Sequence, residues 1–245
     1  MPSLGPDELQ LWRIDLDRPD AGSEHIVAVL SLEERRRAFR FRSAVDARRW
    51  MLSRAALRAI LGGHLGIGPS EVSFVLRPGG KPALAGDAAG RVRFNLSHSG
   101  GMALVGVSSG HEVGVDVERI RGDLDETALA RLALGARAVE LLEAAEPERR
   151  VAAFFRLWVR HEASIKCRGV GLGEGQPAGD DGVVVDDVAI GDGYAAAVAV
   201  AVGVERAGRW DPGLVSHWSW DAPEWAGPPG GGGARASGEW SWASG

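Results

Sequence analysis

The sequence predicts an α+β fold built as two similar halves, each contributing helices followed by a few short strands. Three observations carry this. Apolar residues recur at helical spacing between Ser31 and Leu61, and short strand-like runs follow from Val72 to Val107. The same order returns when a helical stretch from Asp125 to Cys167 gives way to two apolar runs, Val183–Ile190 and Tyr194–Val202. Helices segregated from strands in this way fit α+β layers better than an alternating βαβ sheet. The doubling is one of pattern, since no sequence repeat is strong enough to prove duplication.

Each element has a local signal. Ser31-Leu-Glu-Glu34 is a capping box that opens a helix running through Arg35-Arg36-Arg37 toward Phe41. A second helix begins near Asp46, with Trp50, Leu57, Ile60 and Leu61 on its apolar face, and Gly62-Gly63 and Gly66-Ile67-Gly68-Pro69 are expected to end it. Strand-like runs follow at Val72–Leu76, Val92–Leu96 and Ala103–Val107. Ser108-Ser109-Gly110 then reads as a turn joining the last run to Glu112–Glu118 in a hairpin. One helix is expected from Asp125 to about Glu146, and a long one from Glu148 to Cys167 after the break at Pro147. Gly169 to Gly182 is a glycine-rich loop. The expected division is residues 1–108, residues 109–205, and a tail over 206–245. Six of the nine tryptophans lie in that tail among Pro228-Pro229 and Gly230–Gly233, a composition that predicts an unpacked extension.

Bulk composition narrows the function classes. Of 245 residues, 45% are apolar and 25% charged, as in ordinary soluble domains, and the net charge of −5 argues against general attraction to nucleic acid. The single cysteine, Cys167, excludes an internal disulfide framework and fits a reducing cytoplasm. No signal-like or membrane-spanning pattern is evident, so a cytoplasmic protein is expected.

Chemistry concentrates in a few places. Gly114-Val115-Asp116-Val117-Glu118 alternates strictly, so Val113, Val115 and Val117 share one face while Asp116 and Glu118 share the other beside Gly114. Two carboxylates this close call for a proton or a cation between them, and an all-oxygen donor set suits Mg²⁺. Trp158, Glu162 and Lys166 recur every four residues and form one helical stripe, able to bring a third carboxylate and an ammonium to the first two. Phe94-Asn95-Leu96-Ser97-His98-Ser99-Gly100-Gly101 ends a strand in hydroxyls, an imidazole and flexible backbone, donors suited to a phosphate. Nine arginines lie between Arg35 and Arg58, whereas the chain has only two lysines, Lys81 in Gly79-Gly80-Lys81-Pro82 and Lys166. Lysine delivers a compact point charge where arginine delivers a planar fork, so both lysines are expected to serve the site.

Together, these motifs resemble the 4′-phosphopantetheinyl transferases of the surfactin-synthetase-activating (Sfp) type. The resemblance rests on Asp46–Arg58, Gly80-Lys81-Pro82, Phe94–Ser99, Gly114–Glu118, and Trp158–Lys166 with Gly169-Val170-Gly171-Leu172, in order over roughly residues 30 to 205. It implies a pseudo-dimeric α+β fold acting as a monomer. It also implies transfer of the phosphopantetheine arm of coenzyme A to a serine of an apo carrier protein of polyketide, nonribosomal peptide or fatty acid synthases. Adenosine 3′,5′-bisphosphate would be released. By the same resemblance, Asp116, Glu118 and Glu162 hold Mg²⁺ at the pyrophosphate, and Ser97, His98 and Lys81 meet phosphate oxygens. Arg49 binds the 3′-phosphate, Lys166 steadies the pyrophosphate, and Glu162 is a metal ligand, the base for the serine, or both. Two positions depart from the family pattern. His161 stands where a lysine usually precedes the glutamate, and Arg137 stands near a slot that is often acidic. Those departures keep open a homologue that binds coenzyme A without transferring it, and the carboxylates alone also allow an Mg²⁺-dependent phosphoesterase.

Overall fold

The computed structural model describes residues 3–5, 7–18, 23–169, 182–203, 215–220 and 235–236. Its first strand, β1 (Leu9–Asp15), has no counterpart in the sequence reading. The reason is burial on both faces. Leu9 and Leu11 pack into one core and Trp12 and Ile14 into another, which erases the apolar–polar alternation that marks a half-exposed strand. Next come α1 (Ser23–Val29) and α2 (Leu32–Ala38), the latter opened by the predicted capping box. Then α3 (Ala44–Leu65) starts at the Ser43 cap and runs past Gly62-Gly63 to stop at Gly66, whose φ of 71° is left-handed. Gly62 is not a breaker. A Cβ there would meet the Ile67 carbonyl oxygen at 2.8 Å, so the glycine lets the returning chain cross the helix.

Two short strands, β2 (Phe74–Leu76) and β3 (Pro82–Leu84), form a small hairpin. They precede β4 (Arg93–Ser99) and β5 (Met102–Ser108), which pair antiparallel with each other, while β5 also pairs with β1. The hairpin expected between β5 and β6 (Glu112–Arg119) does not form. Instead β6 leads a second sheet of order β6-β8-β7, with β7 (Val183–Asp187) and β8 (Tyr194–Ala201). A Cβ on Gly106 of β5 would meet the methyls of Val113 and Val115 at 2.9 Å, so β6 crosses over the face of β5 rather than lying alongside it. The predicted valine face of β6 is thus the contact between the sheets, packed on Leu9, Leu11 and Leu104.

The single helix expected over residues 125–146 is two, α4 (Glu126–Ala133) and α5 (Ala136–Ala144), parted at Gly135, whose φ is 82°. The long helix α6 (Pro147–Arg168) begins with Pro147 in its first turn and ends at left-handed Gly169. It lies on the outer face of the second sheet, burying Val159, Ala163 and Cys167 against Ala197 and Ala199. Side chain is excluded at Gly114 because the α6 backbone at Ala163 and Cys167 fills that space. The layers therefore run α3, first sheet, second sheet, α6. No helix among the described residues is long and apolar enough to cross a membrane.

Part of the tail is packed, contrary to expectation. Strand β9 (Val215–Trp220) runs parallel to β1, and β10 (Arg235–Ala236) pairs with β9. Trp220 joins the first core, and the Trp218 ring stacks on Trp12 at 5.6 Å. The free edge of β1 supplies backbone partners, and the tryptophans supply the apolar area that glycine-rich sequence lacks. The other residues expected in the tail lie outside the described ones.

Candidate active site

The two sheets meet along β4 and β6, which belong to different sheets and are tied by side chains instead of a backbone ladder. Asn95 Oδ1 accepts from the Val115 N–H at 2.9 Å, Ser97 Oγ donates to Asp116 Oδ1 at 2.8 Å, and Ser99 Oγ donates to Glu118 Oε2 at 2.6 Å. Alternation along β4 aims residues 95, 97 and 99 at β6, and alternation along β6 aims Asp116 and Glu118 back, as predicted. From α6 the stripe adds Glu162, which is buried, and Lys166, whose Nζ lies 2.5 Å from Asp116 Oδ1 and 3.2 Å from Ser97 Oγ. The structure thus brings together Ser97, Asp116, Glu118, Glu162 and Lys166 from both halves of the chain.

Charge in this seam is under strain. Burial pushes the Glu162 carboxyl above the usual glutamate range, and the Asp116 and Glu118 charges add to the effect while Lys166 opposes it. Burial likewise raises Glu118, the Ser99 hydrogen bond lowers it, and Asp116 raises it again. Asp116 Oδ2 and Glu162 Oε1 are buried without any hydrogen-bond partner. Unpaired buried oxygens beside carboxylates that resist ionisation suit a hard cation, so the donor set fits Mg²⁺. Among the described residues, no three histidine, cysteine, aspartate or glutamate side chains already stand in a metal cage. The ammonium of Lys166 holds Asp116 instead.

Alternation turns His98 to the other side of β4, onto a cavity of about 520 Å³ that Arg37, Trp50, Arg54, Phe74 and Leu96 also line. Desolvation by these walls lowers the imidazole pKa, and the charges of Lys166, Arg37 and Arg54 lower it further. Arg54 and Arg58 converge on Glu34 at 2.9 and 2.8 Å and lie over the Phe74 ring at 4.8 and 5.2 Å. Arg37 sits over the Trp50 ring at 5.4 Å. Rings covered by guanidinium groups put apolar walls and anion donors in one place. Sequence reasoning missed Arg37, Trp50 and Arg54, because in a run of nine arginines only the fold shows which ones face the cavity.

Two predicted residues are not brought to this group. Lys81 is buried, and its Nζ donates to Glu112 Oε2, Val113 O and Cys167 O at 2.8, 3.0 and 3.1 Å. Those three bonds use all its donors. Val113 lies three residues along β6 from Asp116, about 10 Å at strand rise. Lys81 therefore pins the end of α6 to the start of β6. Arg49 forms a two-pronged pair with Asp17 at 2.7 and 2.8 Å and is absent from the cavity wall. Of the departures, Arg137 pairs outward with Glu140 at 2.9 Å on α5. His161, half-buried on α6, has its pKa lowered by burial and then by Arg168. The motif after Gly169, Val170-Gly171-Leu172, lies outside the described residues.

Comparison with known proteins agrees with the two-part fold. Residues 19–110 match a family described as 4′-phosphopantetheinyl transferase, N-terminal, and residues 112–197 match the 4′-phosphopantetheinyl transferase superfamily. The boundary between the matches falls where the chain leaves the first sheet for the second. The 4′-phosphopantetheinyl transferase HetI of Nostoc sp. is 40% identical over 172 residues, covering 69% of this chain and 72% of the relative. A 4′-phosphopantetheinyl transferase of Bacillus subtilis is 30% identical, covering 67% of this chain and 72% of its own length. The transferase Sfp of Bacillus subtilis strain 168 is 27% identical over the same shares, 67% and 72%.

Proposed function

Since this chain belongs to the 4′-phosphopantetheinyl transferase superfamily and is an enzyme of that family, we propose that it moves the 4′-phosphopantetheine group of coenzyme A onto a serine of an apo carrier protein. The observation that carries this reading is the β4–β6 seam. One side holds Ser97, Asp116, Glu118, Glu162 and Lys166, and the other opens through His98 into a cavity of about 520 Å³ lined by arginines and aromatic rings.

The residues divide the work by position. The rings of Phe74 and Trp50 wall the pocket for the adenine, with Arg37 and Arg54 on them for the adenosine phosphates, a task that the resemblance gave to Arg49. His98, on the strand between cavity and seam, meets the pyrophosphate as it passes. Lys166 and the Ser97 hydroxyl supply donors where charge grows on the departing phosphate. Asp116, Glu118 and Glu162 would hold Mg²⁺, which when bound neutralises pyrophosphate charge. The serine oxygen forms a bond to the pantetheine-bearing phosphorus as the bond from that phosphorus to the bridging oxygen breaks, and adenosine 3′,5′-bisphosphate leaves. Glu162 Oε1, unpartnered and on a carboxyl of raised pKa, is suited to accept the serine proton, to share the cation, or both. Because both sides of the seam come from one chain, the reading is of a monomeric enzyme, and the sequence supports a cytoplasmic one.

The test is to incubate the protein with an apo carrier, coenzyme A and Mg²⁺ and to weigh the carrier. A gain of one phosphopantetheine group is expected. Coenzyme A binding without any gain would overturn the reading.

A further inference from the structure

Nine arginines lie between Arg35 and Arg58, and the fold sorts them by what they already hold. Arg35 and Arg48 bond backbone carbonyls, Arg49 holds Asp17, and Arg54 and Arg58 hold Glu34. Among the described residues, the side chains of Arg36, Arg37, Arg40 and Arg42 form no hydrogen bond or ion pair, and Arg37 lies over the Trp50 ring. Arg36, Arg37 and Arg40 converge with Glu33 and Phe41 on one recess of about 720 Å³. The recess shares Glu33 and Arg37 with the coenzyme-side cavity, so the two adjoin. A single glutamate against three guanidinium groups leaves a local excess of positive charge on a chain whose net charge is −5.

The same face exposes large apolar side chains. Leu32, Arg36, Phe39 and Arg40 follow the i, i+4, i+7, i+8 spacing that places them on one side of α2 and its cap. Phe39 is 90% exposed and Leu32 is 63% exposed. Leaving a phenylalanine in water forgoes about 1.5–3 kcal/mol of burial. Exposed apolar groups rimmed by arginines are the composition of a protein-binding surface, since aromatic and arginine side chains dominate contact energy there. By contrast, the exposed Leu132 and Leu141 of α4 and α5 sit where Arg131 and Arg137 already face Glu143 and Glu140, so that surface has no comparable charge excess.

We propose that this face of α2 is the docking surface for an acidic, amphipathic helix of the carrier acceptor, with Arg36 and Arg40 meeting its carboxylates and Phe39 its apolar face. This rests on the transfer reading above and goes beyond it by assigning the capture surface. Uncompensated arginines attract an acidic partner over about a Debye length, roughly 8–10 Å at ordinary salt, and speed its encounter. The wall shared with the coenzyme cavity, Glu33 and Arg37, places that capture next to the bound donor. Arg37, which lines both recesses, belongs to the donor side.

The test uses the full chain and a fluorescently labelled apo carrier. The double variant Arg36→Glu/Arg40→Glu and the single variant Phe39→Ser change only exposed side chains, and their melting temperatures serve as the folding control. The charge reversal is expected to weaken carrier binding by roughly tenfold, as loss of two exposed ion pairs and their repulsion predicts, and Phe39→Ser by roughly tenfold through lost apolar burial. Their coenzyme A affinity should stay that of the unaltered chain, and added salt should weaken carrier binding to the unaltered chain in the same direction. Unchanged carrier affinity in both variants, or a parallel loss of coenzyme A affinity, overturns the proposal. So does a Leu132→Asp variant that alone abolishes carrier binding. If the unaltered chain binds carrier through this face but transfers nothing, the functional reading fails and the docking assignment stands. If transfer proceeds and charge reversal leaves carrier affinity intact, the docking assignment fails and the functional reading stands.

Discussion

Lys166 Nζ and Asp116 Oδ1 lie 2.5 Å apart, joining α6 of the second half to a strand whose other neighbour is Ser97 of the first. Asp116 is only 2% exposed, and that ammonium is the cation it contacts. Removing one partner of such a pair strands the other. Lys166→Met is therefore expected to cost about 2–3 kcal/mol, at or below the low end for fully buried pairs because the lysine side chain keeps 30% of its exposure. Mg²⁺ should return part of that loss, since it would take the place of the missing cation. Thermal melts with and without Mg²⁺ check this, and a variant whose melting temperature ignores Mg²⁺ would count against the carboxylates as a cation site.

Lys81 should behave differently. Its loss leaves Val113 O and Cys167 O without their donor, at a cost of about 2–3 kcal/mol for the two buried carbonyls. Lys81→Met is expected to lower the urea midpoint while KM for coenzyme A stays unchanged. A rise in KM without a stability change would restore Lys81 to the binding site.

The arginines give a paired prediction. Arg37→Ala should raise KM for coenzyme A roughly tenfold, as loss of a charge-assisted phosphate contact predicts, and should narrow the preference for coenzyme A over its dephospho form. Arg49→Ala removes an exposed pair with Asp17, worth at most about 1 kcal/mol, and should leave KM alone. Steady-state kinetics with both substrates decide between them.

How much of this was legible in the sequence depends on the type of signal. The side-chain alternation in Gly114–Glu118 and the four-residue spacing of Glu162 and Lys166 are local, and the structure keeps both. Strand pairing is not local. The short link after β5 looked like a hairpin turn, and only the contact of Gly106 with Val113 and Val115 shows that β6 stacks over β5. Lys81 misled for a related reason, because a lysine in a motif reads the same whether its ammonium faces a ligand or two carbonyls. Asn95 carried the opposite lesson. It looked like part of a donor loop, yet its amide oxygen sets the register that puts Ser97 opposite Asp116 and Ser99 opposite Glu118.

The raised carboxyls of Glu118 and Glu162 predict a pH dependence with a definite sign. A carboxyl whose folded pKa exceeds its unfolded value binds protons more readily when folded. Its effect is therefore destabilising above the raised pKa, and that penalty fades as pH falls toward the ordinary glutamate value of 4.5. Without Mg²⁺, Glu162→Gln should raise the melting temperature at pH 7, with the gain shrinking through the window between the raised value and 4.5. A gain that grows on acidification would contradict the burial argument.

Strand β9 makes the tail a stability element. Trp220→Ala removes a ring that is 7% exposed in the first core and should cost about 3 kcal/mol by urea unfolding. Deleting residues 209–245 should cost more, because it also strips the stacked ring from Trp12 and the backbone partners from β1.

The most direct test of the seam as the transfer site is the mass of an apo carrier incubated with coenzyme A, Mg²⁺ and either the unaltered chain or Asp116→Ala. A phosphopantetheine-sized gain is expected with the first and none with the second, both proteins remaining folded. A carrier left unmodified by the unaltered chain, or modified at full rate by the Asp116→Ala variant, would contradict the seam as the transfer site.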